Sequence, residues 1–111
     1  MSEPTLYPES GFLRIRIDLA YDGTNYAGWA KQPDQRTIQE EIETALAKIT
    51  QSPIETIVAG RADAGVHASG QVVHFDVPEN SEIKELLFKL NRMLDDDIRV
   101  LKVTVMDKGF H

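Results

Sequence analysis

The apolar residues of this chain first follow a period of two, which is typical of strands that bury one face of a sheet. Further apolar segments from Ile54 to Ala59, from Gln71 to Val77 and from Ile98 to Val105 predict three more strands. Pro78 ends the third strand, because proline cannot donate to a sheet ladder. In the first strand, which begins at Phe12, charged residues alternate with the aliphatic residues Leu13, Ile15, Ile17 and Leu19.

Two other segments follow the period of an α-helix. Thr37 and Glu40 match a capping box, and the apolar stripe after them predicts a helix that ends near Gln51, just before a proline. The acidic triplet Asp95–Asp97 ends a second helix and is expected to be a solvated turn rather than a cation site. Ser81 is the candidate N-cap of that second helix, whose apolar stripe comprises Ile83, Leu86, Leu87, Leu90 and Leu94.

The predicted order of elements is β-α-β-β-α-β, and both helical connections are long enough for crossovers. We therefore predict an α+β fold of the ferredoxin-like, split βαβ type, in which a four-stranded antiparallel sheet carries two helices on one face. The domain is predicted to span residues 12–106. Residues 1–11 show no periodicity and are expected to form a flexible leader, and residues 107–111 are expected to begin a linker.

Composition narrows the classes of function. The 111 residues suit one domain, and their formal charge of −6 counts against a free-standing nucleic-acid binder, which usually carries a basic surplus. The absence of cysteine excludes disulfides and thiolate metal sites and fits a cytoplasmic protein. No apolar run approaches the roughly 20 residues that a membrane span needs, so no membrane partner is expected.

The run from Gly60 to Gly70 carries the main candidate chemistry. Glycines at intervals of five, with Gly65 in the middle, let the backbone bend sharply or approach another molecule closely. Arg61 and Asp63 stand two residues apart, so an extended backbone would place guanidinium and carboxylate on one side. An adjacent arginine favours an ionised carboxylate, which suits a nucleophile or a general base. By residue type alone, however, a structural surface ion pair is the commoner interpretation.

The spacing and types of the other candidate residues disfavour a metal site, a catalytic triad and an RRM-type RNA-binding surface. The candidate metal ligands near this run follow no known ligand spacing, and we expect no metal site; they are His67, His74, Asp63 and Asp76. A triad of Ser69, His67 and Asp63 would be too close along one loop to be oriented. An RRM-type RNA binder shares the order of elements, but the third strand lacks its basic and aromatic signature. The aromatic side chains Tyr26 and Trp29, which precede the first helix, are expected to cover one edge of the core.

Four blocks of sequence, in order and spacing, resemble the TruA-type tRNA pseudouridine synthases. The resemblance implies isomerisation of uridine to pseudouridine in the anticodon stem-loop of tRNA, with no cofactor. It implies that Asp63 is the catalytic residue, by covalent attack or proton abstraction, and that Arg61 pairs with it and helps to flip the target base. Substrate contact or loop support would fall to Gly60, Gly65, His67, Gln71, Tyr26 and Trp29. The blocks are Tyr21-Asp22-Gly23-Thr24-x-Tyr26-x-Gly28-Trp29, Thr37-x-Gln39, Gly60-Arg61-x-Asp63-Ala64-Gly65-Val66-His67-Ala68 and Gly70-Gln71-Val72-Val73-His74-Phe75.

The chain departs from the family in two residues and in length. Ala62 and Ala30 stand where the family usually has threonine and glutamine. Members of the family are longer and act as homodimers, and a second, similar half completes their cleft. The resemblance therefore implies an N-terminal half that carries the catalytic aspartate but is inactive alone, and that meets tRNA only within the full-length protein. The alternative is a non-catalytic ferredoxin-like module that binds RNA or another protein.

Overall fold

The computed structural model describes residues 8–58 and 68–108, with only the backbone described for 68–70 and 107–108. Its strands form one antiparallel sheet in the order β2-β3-β1-β4, and two helices pack against it. This arrangement confirms the predicted ferredoxin-like α+β fold. The elements are β1 (Phe12–Tyr21), a 3-10 turn (Gly23–Asn25), α1 (Ile38–Thr50), β2 (Ile57–Val58), β3 (Ala68–Pro78), α2 (Leu86–Met93) and β4 (Ile98–Lys108).

The core lies between one face of the sheet and the two helices. Alternate residues of β1 are fully buried there, and Phe75 and Val73, which lie opposite Ile15 and Ile17 on β3, continue the same apolar layer. Both helices present a buried stripe to this layer, which explains why their apolar residues recur every three or four positions. The core includes Ile15, Ile17 and Leu19 of β1, Val73 and Phe75 of β3, Ile42 and Leu46 of α1, and Leu86 and Leu90 of α2.

Helix α1 begins and ends as the sequence predicts. The hydroxyl of Thr37 accepts a hydrogen bond of 3.3 Å from the backbone N–H of Glu40, which caps the first turn. The helix ends at Thr50, and Gln51 follows in the left-handed conformation with φ 57° and ψ 36°. A residue with a Cβ is strained in that conformation, whereas glycine adopts it readily.

We expect Gln51→Gly to stabilise the fold by about 0.5–1 kcal/mol, because relief of left-handed strain outweighs the extra entropy of glycine in the unfolded chain. Chemical denaturation measures this change as a higher midpoint at unchanged slope. Ala47→Gly, in the middle of α1, is the matched control and should destabilise the helix by about the same amount. A Gln51→Gly protein no more stable than its parent would contradict the expectation.

The predicted start of the second helix is wrong. Ser81 does not cap it, since its backbone N–H donates to the carbonyl of Pro78 at 2.8 Å within a turn. The carboxylate of Glu82 then accepts from the backbone N–H of Lys84 at 3.0 Å, a local contact that competes with helical hydrogen bonding. Helix α2 begins only at Leu86, after Glu85 in the left-handed conformation.

Strand bounds also differ from the predicted ones. Strand β2 lacks the first residues of the predicted segment, because the backbone N–H of Thr56 donates to a helix carboxylate instead of to β3. Strand β3 begins at Ala68 rather than Gln71, since Ser69 and Ala68 also pair with β1 after a shift in register at Leu19. Strand β4 runs to Lys108. No helix within the described ranges is long and apolar enough to cross a membrane.

Candidate active site

The last residue of β1 and the first residues of β3 and β4 lie together at one end of the sheet. Tyr21, the last residue of β1, pairs with Ala68 at the start of β3 and with Ile98 at the start of β4. Strand β2 runs toward this end as well, because it is antiparallel to β3 and Val58 lies opposite Val73. The chain between β2 and β3 therefore leaves and rejoins the sheet here, and that connection carries the predicted catalytic residues.

The predicted residues of that connection lie outside the described part of the structure. They are Gly60, Arg61, Asp63, Gly65 and His67. Of the remaining candidates, Tyr26 and Trp29 are described in full. Gln71 is described too: it lies opposite Leu19, and its side-chain amide lies 3.4 Å from the carbonyl of Val72. The structure thus describes the surroundings of the predicted catalytic loop.

The aromatic loop after β1 is fastened to the turn between α2 and β4. The hydroxyl of Tyr26 donates to the carboxylate of Asp97 at 2.6 Å, and the backbone N–H of Asp22 donates to the Asp97 carbonyl at 2.9 Å. The guanidinium of Arg36 lies 4.5 Å from the centre of the Tyr26 ring and donates to Asp95 at 2.5 Å. The acidic turn is exposed at Asp95 and Asp96, as expected, and the carboxylates of Asp95 and Asp97 also hold the aromatic loop.

The buried environment of the Tyr26 hydroxyl favours its protonated form. Desolvation, reinforced by the hydrogen bond to Asp97, raises the pKa of Tyr26 well above its ordinary value. The phenol therefore stays protonated across the neutral range and remains a donor.

We expect Tyr26→Phe to destabilise the protein by about 1–2 kcal/mol, because it removes the donor and leaves the Asp97 carboxylate without that partner. The matched control is Tyr21→Phe. The Tyr21 hydroxyl is buried and has no hydrogen-bond partner among the described residues, so its removal should be neutral or stabilising. Denaturant midpoints of the two variants measure the difference. Equal effects of the two changes would refute the assigned role of the Tyr26 hydroxyl.

Trp29 closes the same loop over the core. Its side chain is only 2% exposed, and its carbonyl accepts from the backbone N–H of Gln39 at 2.9 Å. The preceding Gly28 has φ 103°, a conformation that other residues rarely adopt, and its carbonyl accepts from Ile38 at 3.2 Å. Backbone hydrogen bonds thus hold the loop against the start of α1. The expected burial of Tyr26 and Trp29 at an edge of the core is confirmed.

A buried carboxylate on α1 forms a second polar cluster. Glu43 is 6% exposed and accepts from the backbone N–H and the hydroxyl of Thr56, both at 2.8 Å. The side-chain amide of Gln39 donates to it at 3.0 Å, and the ammonium of Lys31 lies 2.9 Å away. Glu43 was not predicted from the sequence, although a glutamate within the apolar stripe, four residues after Gln39, was a usable signal.

The matches to known proteins cover nearly the same region as this fold. A family profile described as tRNA pseudouridine synthase matches residues 19–108. The chain belongs to the tRNA pseudouridine synthase family. This membership confirms the resemblance that the four sequence blocks indicated.

Curated relatives in this family are considerably longer than the chain. It is 46% identical over 101 residues to tRNA pseudouridine synthase A of Frankia casuarinae, with 90% of the chain and 37% of that protein covered. The protein of that name from Bacillus pumilus is 50% identical over 101 residues, covering 89% of the chain and 41% of the relative. That from Corynebacterium glutamicum is 47% identical over 108 residues, covering 88% and 37%. The chain thus spans about two fifths of the length of these synthases.

The sheet of this pseudouridine synthase domain has a charged face opposite the helices. Arg14 on this face is only 8% exposed and donates twice to Asp76, at 2.8 and 3.0 Å. Arg16 donates to Asp18 at 3.0 and 3.1 Å, and this contact lowers the pKa of Asp18. Burial, together with the positive charge of Arg14, lowers the pKa of His74 on the same face. One ion pair across β1 and β3 and one within β1 therefore organise this surface.

Metal ligands are not gathered anywhere in the described ranges. Within residues 8–58 and 68–108, no three His, Asp or Glu side chains lie close enough together to hold a metal ion. His74 and Asp76, two of the candidate ligands considered from the sequence, instead interact with Arg14.

Proposed function

We propose that the complete protein isomerises uridine to pseudouridine in the anticodon stem-loop of tRNA. The observation that carries this proposal is the family match over residues 19–108, which spans the run containing Arg61 and Asp63. Relatives named tRNA pseudouridine synthase A at 46–50% identity support the same activity. We further propose that the complete protein is a cytoplasmic homodimer.

The proposed reaction explains why a carboxylate is needed. The N1–C1′ glycosidic bond of the target uridine breaks, the uracil turns within the site, and a C5–C1′ bond forms while the proton on C5 is lost and N1 regains one. Asp63 acts at the sugar–base junction, by attack or by proton abstraction, and Arg61 keeps it ionised. A base inside a helix is out of reach, so it is first flipped, at a cost of a few kcal/mol.

The charge of the chain indicates how tRNA would be held. A formal charge of −6 repels phosphate on average. On the charged face of the sheet, Arg14 and Arg16 already form ion pairs with aspartates. We therefore propose that most of the basic surface belongs to the additional length that the relatives possess, which also completes the cleft. On this basis the 111-residue chain alone is inactive.

A tritium-release assay tests the proposal. Transcribed tRNA labelled with tritium at C5 of uridine is incubated with the complete protein and, separately, with residues 1–111. We expect release only from the complete protein, and only from tRNAs with uridine in the anticodon stem-loop. An inactive complete protein would overturn the proposed activity, and release from uridines elsewhere would overturn the proposed target. Turnover by residues 1–111 would overturn the need for the additional length.

A further inference from the structure

The carboxylate of Glu43 is a buried charge with a full set of partners. It receives hydrogen bonds from Thr56, twice, and from Gln39, and it pairs with the Lys31 ammonium. A carboxylate removed from water loses several kcal/mol of solvation, so a site like this one persists only where its partners replace that solvation. The hydrogen bond to Glu43 raises the pKa of Lys31, which keeps the ammonium charged. This cluster holds specific backbone in place rather than merely filling space.

Glu43 holds the segment that leads into the predicted catalytic loop. Among the described residues, Ile57 and Val58 of β2 pair with His74 and Val73 of β3. Thr56 directly precedes β2, and both its backbone N–H and its hydroxyl donate hydrogen bonds to the Glu43 carboxylate. The backbone at the start of β2 is therefore held by this carboxylate as well as by sheet pairing.

The same cluster reaches the aromatic loop. The side-chain oxygen of Gln39 accepts from the backbone N–H of Lys31 at 2.9 Å, and its amide also donates to the Thr56 carbonyl at 3.2 Å. Lys31 lies two residues after Trp29. The cluster thus joins the connector after the aromatic loop, helix α1 and the start of β2 into one unit.

We propose that Glu43 is a positioning residue of the synthase. It fixes Thr56 and thereby the start of β2, the strand from which the chain continues to Arg61 and Asp63. This inference rests on the proposed function. Because a displacement of about 1 Å in a reacting group costs up to about 10²-fold in rate, loosening this anchor should lower turnover more than substrate binding.

The kinetic test uses Glu43→Gln in the complete protein. Glutamine keeps the shape but replaces one acceptor oxygen by a donor, so it cannot receive all four contacts. We expect kcat to fall by about 10-fold or more while KM for tRNA stays within about twofold. The matched control is Glu40→Gln, which removes an exposed carboxylate from the same helix and should leave kcat unchanged. Unchanged kcat in Glu43→Gln, or a rise in KM alone, would overturn the proposal.

Variants of Thr56 supply the conservative comparison. Thr56→Ser keeps the hydroxyl that donates to Glu43 and should retain nearly normal kcat. Thr56→Val removes that hydroxyl while preserving volume, and should reproduce part of the Glu43→Gln loss. Equal rates for the serine and valine variants would contradict a role for this hydrogen bond.

Hydrogen exchange followed by mass spectrometry or NMR tests the anchor without relying on activity. In Glu43→Gln we expect the amides of residues 56–58 to exchange about 10-fold faster or more, with β1 and β3 amides unchanged. Unchanged exchange at residues 56–58, or equal acceleration throughout the sheet, would overturn the positioning role. Because the wild-type protein is assayed beside the variant, an inactive wild type refutes the proposed function, whereas the exchange pattern decides the anchor separately.

Discussion

Asp63→Asn in the complete protein is expected to lower uridine isomerisation by about 10³-fold or more while tRNA binding persists. Asparagine has nearly the size of aspartate, so the site can still receive the RNA. Its amide is neither a nucleophile toward the sugar nor a base for a proton, and the reaction loses the group that acts at the sugar–base junction. The assignment of Asp63 rests on its place in the family's sequence block, since it lies outside the described residues.

Single-turnover tritium release with excess enzyme measures the chemical step, and filter binding measures retention of tRNA. Asp96→Asn is the matched control: the same change is made at the same end of the sheet, but at a fully exposed carboxylate that contacts Arg99. We expect normal rates from that variant. An Asp63→Asn protein that reacts within about tenfold of the wild type would end the assignment of Asp63 as the reacting group.

Trp29→Ala is expected to cost about 3–5 kcal/mol of folding free energy, a large part of the 5–15 kcal/mol that small domains possess. The indole is almost completely buried, so its removal opens a cavity that the glycine-constrained loop cannot easily fill. The loop is held to α1 by backbone hydrogen bonds of Gly28 and Trp29, which limits its collapse into the space. The predicted loss is therefore mainly one of stability.

Guanidinium unfolding followed by circular dichroism checks this value, because Trp29 is the only tryptophan and its fluorescence disappears with it. Trp29→Phe keeps most of the buried volume and should lose less than half as much stability. A loss below about 1 kcal/mol in the alanine variant would show that the loop repacks, contrary to the cavity argument.

The elements that the sequence predicted well are those specified by local patterns. The alternation around Ile15 and Ile17 identified β1, and the Thr37 cap identified the start of α1. The predicted start of α2 was wrong because Ser81 and Glu82 make hydrogen bonds within a turn. Residues of these types favour turns as well as helix caps, so their identity alone does not distinguish the two structures.

Parts of the site that depend on distant partners were not predictable from one sequence. Tyr26 and Asp97 are 71 positions apart, and Glu43 and Thr56 are 13 apart. No periodicity links such residues, so their pairing appears only when the chain is folded. The family resemblance, by contrast, came from short ordered blocks and was confirmed by the family match. The roles of Arg61 and Asp63 stay predictions.

The Arg14–Asp76 contact across β1 and β3 also decides which of several alignments the two strands adopt. Sliding β3 by one residue would turn Asp76 into the apolar layer, which hydrophobicity alone forbids. Sliding it by two residues would keep Val73, Phe75 and Val77 inward, and the apolar pattern would barely resist. Arg14 would then face His74 or Pro78, and in the second case Asp76 would face Arg16, which already binds Asp18. Among these three alignments, only the native one gives Arg14 and Arg16 a carboxylate each, which favours it along the strands that lead to the proposed site.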